Sequence, residues 1–199
     1  MGKDGAFDDA VNGLSPFRFL ISILTFFYSG VSGVVHTAAN LRLASTVIEE
    51  IVDPIVNGTI SILRSAATQP TITRFVLTSS SLAADPTRPN EVYSIGEDSW
   101  NEFSVEEAYK KRESSLQGLH VYAAGKVLGE KAAWKFIQDE KPRFVLNTIL
   151  PSVTFGPVLD PATQWGSSAS MLTKATEKED FGFLTEFPRQ CFLFDSTPP

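Results

Sequence analysis

Cysteine is nearly missing from this chain. Of 199 residues one is cysteine, Cys191, which excludes an intrachain disulfide and a cysteine-based metal cluster. Histidine is almost as scarce: His36 and His120 are too few for a zinc site, and no metal-ligand spacing appears elsewhere. No basic run occurs. The 17 Lys and Arg residues are scattered among 23 Asp and Glu, for a net charge of −6, which argues against nucleic acid or an anionic membrane as the main partner. A membrane-spanning run is also lacking. The most apolar stretch, Phe17 to Tyr28, is too short for a bilayer, carries Arg18, and has no basic cluster ahead of it beyond Lys3. With 43% hydrophobic and 20% charged residues, the composition is that of an ordinary globular protein of one domain. Such cysteine usage suits a reducing cytosol, so a cytoplasmic location is expected.

What is present has an α/β rhythm. Residues 1–13 read as a loop and a short amphipathic helix, followed by the apolar stretch Leu14 to Gly30. Gly33 to Ala39 (GVVHTAA) predicts a buried parallel strand, with small residues at its end. Apolar residues at helical spacing predict a helix over Ser45 to Ala67, which Pro54 should kink or divide. Arg74 to Thr78 predicts a second strand that runs into Ser79-Ser80-Ser81. Residues 82–104 read as a long loop, Val105 to Arg112 as a short charged helix, and Val121 as the opening of a long helix ending near Asp139. Phe144 to Leu150 predicts a third strand, stopped by Pro151; a short helix is expected near Met171 to Thr176 and no clear element over 180–199. Strand and helix in alternation mean a parallel sheet with right-handed crossovers, helices on both faces, and ligands outside the carboxyl ends of the strands. His36, Ser79 to Ser81 and Pro151 all sit just past such ends.

The chemistry concentrates on Tyr122 and Lys126. Four residues apart on a helix, they share one face, a geometry that suits a phenol giving up a proton beside an ammonium that stabilises the phenolate. The other tyrosines, Tyr28, Tyr93 and Tyr109, have no lysine at that spacing. Thr78-Ser79-Ser80-Ser81 offers either helix-capping hydroxyls or a hydroxyl that holds a substrate carbonyl. His36 on its own is a core histidine; beside Ala38 and Ala39 it would also admit a flat cofactor ring. Along the Tyr122 helix, Gly125, Gly129, Ala132 and Ala133 allow close packing on a sheet, on another helix, or in a dimer.

The stretches GAFDDAV, GVVHTAA, FVLTSSSLAA, SWNEFSVEEA, VYAAGKVLGEKAAWKF, LNTILPSVTFGPVLDP and TQWGSSASM together resemble the extended short-chain dehydrogenase/reductases. Within them, the similarity is to the dihydroflavonol reductase-like branch and, by SWN, AAWKF and DPATQ, to its fungal NADPH-dependent carbonyl (aldehyde) reductases. The resemblance implies that Tyr122 protonates the carbonyl oxygen, that Lys126 lowers its pKa and grips the nicotinamide ribose, and that Ser80 polarises the carbonyl, with Ser79 and Ser81 as alternatives. It further implies that His36, Thr37, Ala38 and Thr78 line the cofactor and that Pro151, Ser152 and Val153 close its nicotinamide side. NADPH is the implied cofactor, NAD(H) the lesser choice, and a small carbonyl compound the substrate, in a monomer or homodimer.

The resemblance also marks what is missing. The family opens with a strand, a Gly-x-x-Gly-x-x-Gly turn and a helix that cradles the pyrophosphate; Gly2, Gly5 and Gly13 are wrongly spaced for it. Residues 1–199 are therefore expected to form a single incomplete Rossmann-type domain lacking the first βαβ units, with 153–199 on the substrate side. Deleting Leu14 to Gly30 restores the family pattern in frame, which predicts an insertion over 14–30, a translated retained intron. Three functions are compatible with this: an NADPH-dependent carbonyl reductase, a catalytically silent interaction protein, or an NAD-dependent sugar-nucleotide epimerase/dehydratase.

Overall fold

The computed structural model describes residues 31–40, 45–86, 91–110 and 114–154. The expectations for 1–30 and for 155–199, including the helix near Met171, lie outside them. Seven elements succeed one another: β1 (Gly33–His36), α1 (Ile48–Ala67), β2 (Arg74–Thr78), α2 (Ser81–Ala84), α3 (Glu102–Tyr109), α4 (Gln117–Glu140) and β3 (Val145–Ile149). The strands are parallel in the order β1-β2-β3, with Val34 beside Phe75 and Phe75 beside Leu146. This is the expected α/β class.

Side chains alternate along a strand, so each strand has one face toward the helices. Val34, Phe75, Leu77 and Leu146 pack there with Leu63 and Ala66 of α1 and Ala133 and Phe136 of α4. Both crossover helices lie on this one face, because the strands are added in a single direction and right-handed crossovers then fall on the same side. On the opposite face Val35 is 66% exposed, Val145 52% and Ile149 53%, and a cover for that face does not fall among the described residues. Nearer the carboxyl ends of the strands, a second apolar cluster joins Ile48, Ile51 and Val52 of α1 to Ala108 of α3 and to Val121 and Ala124 of α4.

Several boundaries differ from the sequence-based expectations. The first strand ends at His36 rather than running on to Ala39. Pro54 does not divide α1. Proline removes the N–H that would bond to the carbonyl of Glu50, and the Asn40 side chain fills that place, donating to Glu50 O at 2.9 Å. Residues 82–104 hold one helical turn and the start of a helix, because Ser80 caps the N-terminus of α2 and Asn101 that of α3. Consequently α3 begins at Glu102 instead of Val105. The long helix begins at Gln117 instead of Val121, which puts Tyr122 in its second turn. Its end is sharp: Lys141 adopts the left-handed conformation, its N–H donates to Ile137 O, and Pro142 comes next.

The small-residue stripe of α4 faces α1 within the same chain. A Cβ added at Gly125 would lie 2.8 Å from Ile55 Cδ1, and one at Gly129 would lie 2.9 Å from Ile55 Cγ2. The two glycines of the stripe are thus spent on an internal helix contact.

Candidate active site

The carboxyl ends of β2 and β3 bring the candidate residues together. Beyond the strand pairing, Ser79 N–H donates to Ile149 O at 2.8 Å and Ser81 N–H to Pro151 O at 2.9 Å. Those bonds hold the serine cluster beside the segment after β3. Ser80 itself is extended, and its hydroxyl accepts from Leu82 N–H at 3.2 Å, which caps α2. Capping leaves the Ser80 O–H free to donate elsewhere, so the capping and chemical readings of the serine cluster are compatible in one residue. Of the three serines, Ser80 is the one whose hydroxyl lies where it opposes the rise in the Tyr122 pKa, as a donor to the phenolate does. Ser79 instead buries its hydroxyl without a hydrogen-bond partner among the described residues.

Tyr122 is half-buried, and desolvation raises its pKa because the phenolate would lose water; the hydrogen bond from Ser80 opposes that rise. The Lys126 ammonium lies 5.9 Å from the Tyr122 ring centroid and spends a donor on Thr78 O at 3.2 Å. Lys126 is only 7% exposed. Burial lowers its pKa, and the carboxylate of Glu130, one helical turn further on, pulls it back up. Glu130 is 5% exposed; one oxygen accepts from Trp134 Nε1 at 3.4 Å and the other has no partner among the described residues. The arrangement is a protonated phenol, a serine hydroxyl beside it and a buried ammonium, at the open end of a parallel sheet.

A family model described as Male sterility protein, an NAD-binding family, matches residues 24–181. The chain is 36% identical to Aldehyde reductase 2 of Sporidiobolus salmonicolor over 195 residues, covering 97% of this chain and 52% of that protein. It is 40% identical over 134 residues to the ketoreductase adrE of Penicillium rubens, covering 66% of this chain and 38% of that one. The structure of Gre2 in complex with NADPH, from Candida albicans, superposes with a TM-score of 0.64 at 27% identity, over 85% of this chain and 47% of that one. The chain belongs to this NAD-binding family, among the extended short-chain dehydrogenase/reductases. It spans about half the length of the curated relatives it matches.

Within this dehydrogenase/reductase frame the remaining candidates fall into two groups. His36, at the end of β1, is close enough to Lys126 for the ammonium to lower its pKa, although burial lowers it more. Thr78 faces the site through its carbonyl. Pro151 reaches it through its own carbonyl, bound by Ser81. Thr37, Ala38 and Val153 are exposed, and Ser152 carries a turn in which Thr154 Oγ1 donates to its carbonyl at 3.1 Å. The loop after β1 is tied down by Asn40 on α1. Asn40, Asn101, Gln117 and Glu130 escape sequence reasoning as site-building residues. For Asn101 a signal exists, since Asn three residues before Ser104 at the start of a polar helical run is a capping pattern. The others act through tertiary contacts. Among the described residues no group of His, Cys, Asp and Glu is arranged to hold a metal, and no helix is long and apolar enough to cross a membrane.

Proposed function

We propose that the protein reduces an aldehyde or ketone to an alcohol with NADPH, and that Tyr122 delivers the proton. The observation that carries this is the convergence of Ser80, Tyr122 and Lys126 at one strand end. The reductase names of the relatives favour a carbonyl substrate over a sugar nucleotide. When bound, NADPH supplies the hydride that adds to the carbonyl carbon. The described residues fit its nicotinamide half: Lys126 offers a buried ammonium with donors left after Thr78 O, and His36, Thr37, Ala38, Pro151, Ser152 and Val153 flank that end of the sheet. For the pyrophosphate half, the sequence holds no glycine-rich turn.

Ser80 donates a hydrogen bond to the carbonyl oxygen and so orients it and stabilises charge that develops there. Tyr122 gives its phenolic proton to the same oxygen. The C–O double bond becomes a single bond, and the phenolate left behind is stabilised by the Lys126 ammonium, and by the Ser80 O–H once the alcohol leaves, until solvent restores the proton. A raised tyrosine pKa keeps the phenol protonated at neutral pH, as a donor requires. The test is NADPH titration of the purified chain, followed by aldehyde-dependent loss of NADPH absorbance. Saturable binding with turnover that disappears in Tyr122→Phe is expected; absence of binding at millimolar cofactor overturns the proposal for this chain.

A further inference from the structure

The turn that carries Ser80 cannot satisfy itself. A helix as short as α2 has no residues far enough along to bond its own last carbonyls. Ser80 O accepts from Ala83 N–H at 2.9 Å and Ser81 O from Asp85 N–H at 3.1 Å. The next two carbonyls go to one distant residue. Asn101 Nδ2 donates to Leu82 O at 2.8 Å, and Asn101 N–H donates to Ala83 O at 2.9 Å. Asn101 is fully buried, and its remaining polar atom, Oδ1, accepts Ser104 N–H at 2.9 Å and caps α3. Every hydrogen-bonding group of this amide side chain except one N–H is thus committed within a buried site, where each bond is costly to leave unmade.

The far end of α3 is closed in a matching way. Gln117, the first residue of α4, donates through Nε2 to Ala108 O at 2.9 Å and Glu107 O at 3.3 Å, carbonyls in the last turn of α3. Midway, Ser104 Oγ and His120 Nδ1 lie 3.2 Å apart. So α3 is a strut. One amide pins it to the Ser80 turn, another to α4 five residues before Tyr122. We infer that Asn101 is a positioning residue: through α3 it sets where the Ser80 hydroxyl stands relative to Tyr122.

The inference rests on the proposed pairing of Ser80 with Tyr122, and its test does not require turnover. Asn101→Ser keeps an N-cap acceptor for Ser104 but is too short to reach Leu82 O; Asn101→Asp keeps the length and the acceptor but loses the donor. In the 199-residue chain labelled with 13Cζ-tyrosine, the ionisation of Tyr122 is followed by NMR and assigned against Tyr122→Phe. Asn101→Ser and Ser80→Ala are each expected to shift the midpoint upward, because the hydrogen bond that opposes burial is lost. The double variant is expected to shift no further than Ser80→Ala alone. An unchanged midpoint in a folded Asn101→Ser, or shifts that add, overturns the inference. Asn101→Asp replaces it if Asn101→Ser does not fold, judged by a cooperative urea transition. Where the chain turns over, kcat should fall roughly 10- to 100-fold in Asn101→Ser with KM for NADPH unchanged. Failure of carbonyl reduction in the wild type sinks the proposed function and leaves the ionisation cycle readable; additive shifts sink the strut and leave carbonyl reduction standing.

Discussion

Along α4, Val121, Gly125 and Gly129 face α1, while Tyr122, Lys126 and Glu130, one residue further round, carry the polar groups. The first stripe works by having almost no side chain. Its glycines let the helix backbone settle onto Ile55 and Val52 of α1. The second stripe works by keeping polar groups in a place that disfavours charge, with a compensating partner for the two at the site: Ser80 for Tyr122, Thr78 O and Glu130 for Lys126. The contrast shows a dependence. The two stripes share one rigid helix, so a shift of α4 away from α1 would also move the Lys126 ammonium, now 3.2 Å from Thr78 O. A packing error on the first stripe is therefore also a chemical error on the second.

The comparison can be broken from either side. The largest effect is expected for Tyr122→Phe, which removes the proposed proton donor from the polar stripe. The rate of carbonyl reduction should fall about 10²- to 10⁴-fold, while the urea midpoint moves little. Gly129→Val attacks the other stripe by forcing a branched side chain into Ile55. Urea unfolding should show a loss of about 2 to 3 kcal/mol, with cofactor affinity weakened in step because Lys126 moves with the helix. A fully stable Gly129→Val would mean that α1 and α4 do not depend on their close approach.

Glu130→Gln is a subtler probe. Its charge holds the Lys126 pKa up against burial, so the variant should lower that pKa further and move the alkaline limb of the rate profile to lower pH. An unmoved limb would separate Glu130 from Lys126. The smallest effect concerns His36, whose pKa is held below its ordinary 6.5, first by burial and then by the Lys126 charge. The unfolded chain then takes up a proton before the folded one does. Stability should decline as pH falls through about 6.5 toward the lower folded-state value, with His120 adding a contribution of the same sign. Urea midpoints compared between about pH 7 and about pH 5 should lose part of that slope in His36→Asn.

Much of this frame is legible in the residues. The bounds of β2 are legible to the residue, because a short β-branched and aromatic run ended by three serines has few other meanings. The helix holding Tyr122 and Lys126 is long, and its apolar and small positions recur at helical spacing. The places where sequence and structure part are those where a distant group completes a local need. Pro54 reads locally as a break, and Asn40 makes it continuous with the helix. Residues 82–104 read as loop, because a turn as short as α2 has no periodicity to announce it and is closed by Asn101 from another part of the chain.

The sequence by itself determined the α/β order, the pair Tyr122 and Lys126 on one helical face, and the scarcity of metal-binding and disulfide chemistry, because these depend on periodicity and residue type alone. Which of Ser79, Ser80 and Ser81 meets the tyrosine was decided only by the tertiary structure. So were the direction of the Tyr122 and Lys126 pKa shifts and the strut that Asn101 begins. Each depends on burial and on hydrogen bonds between segments far apart in the chain, and a one-dimensional pattern contains neither.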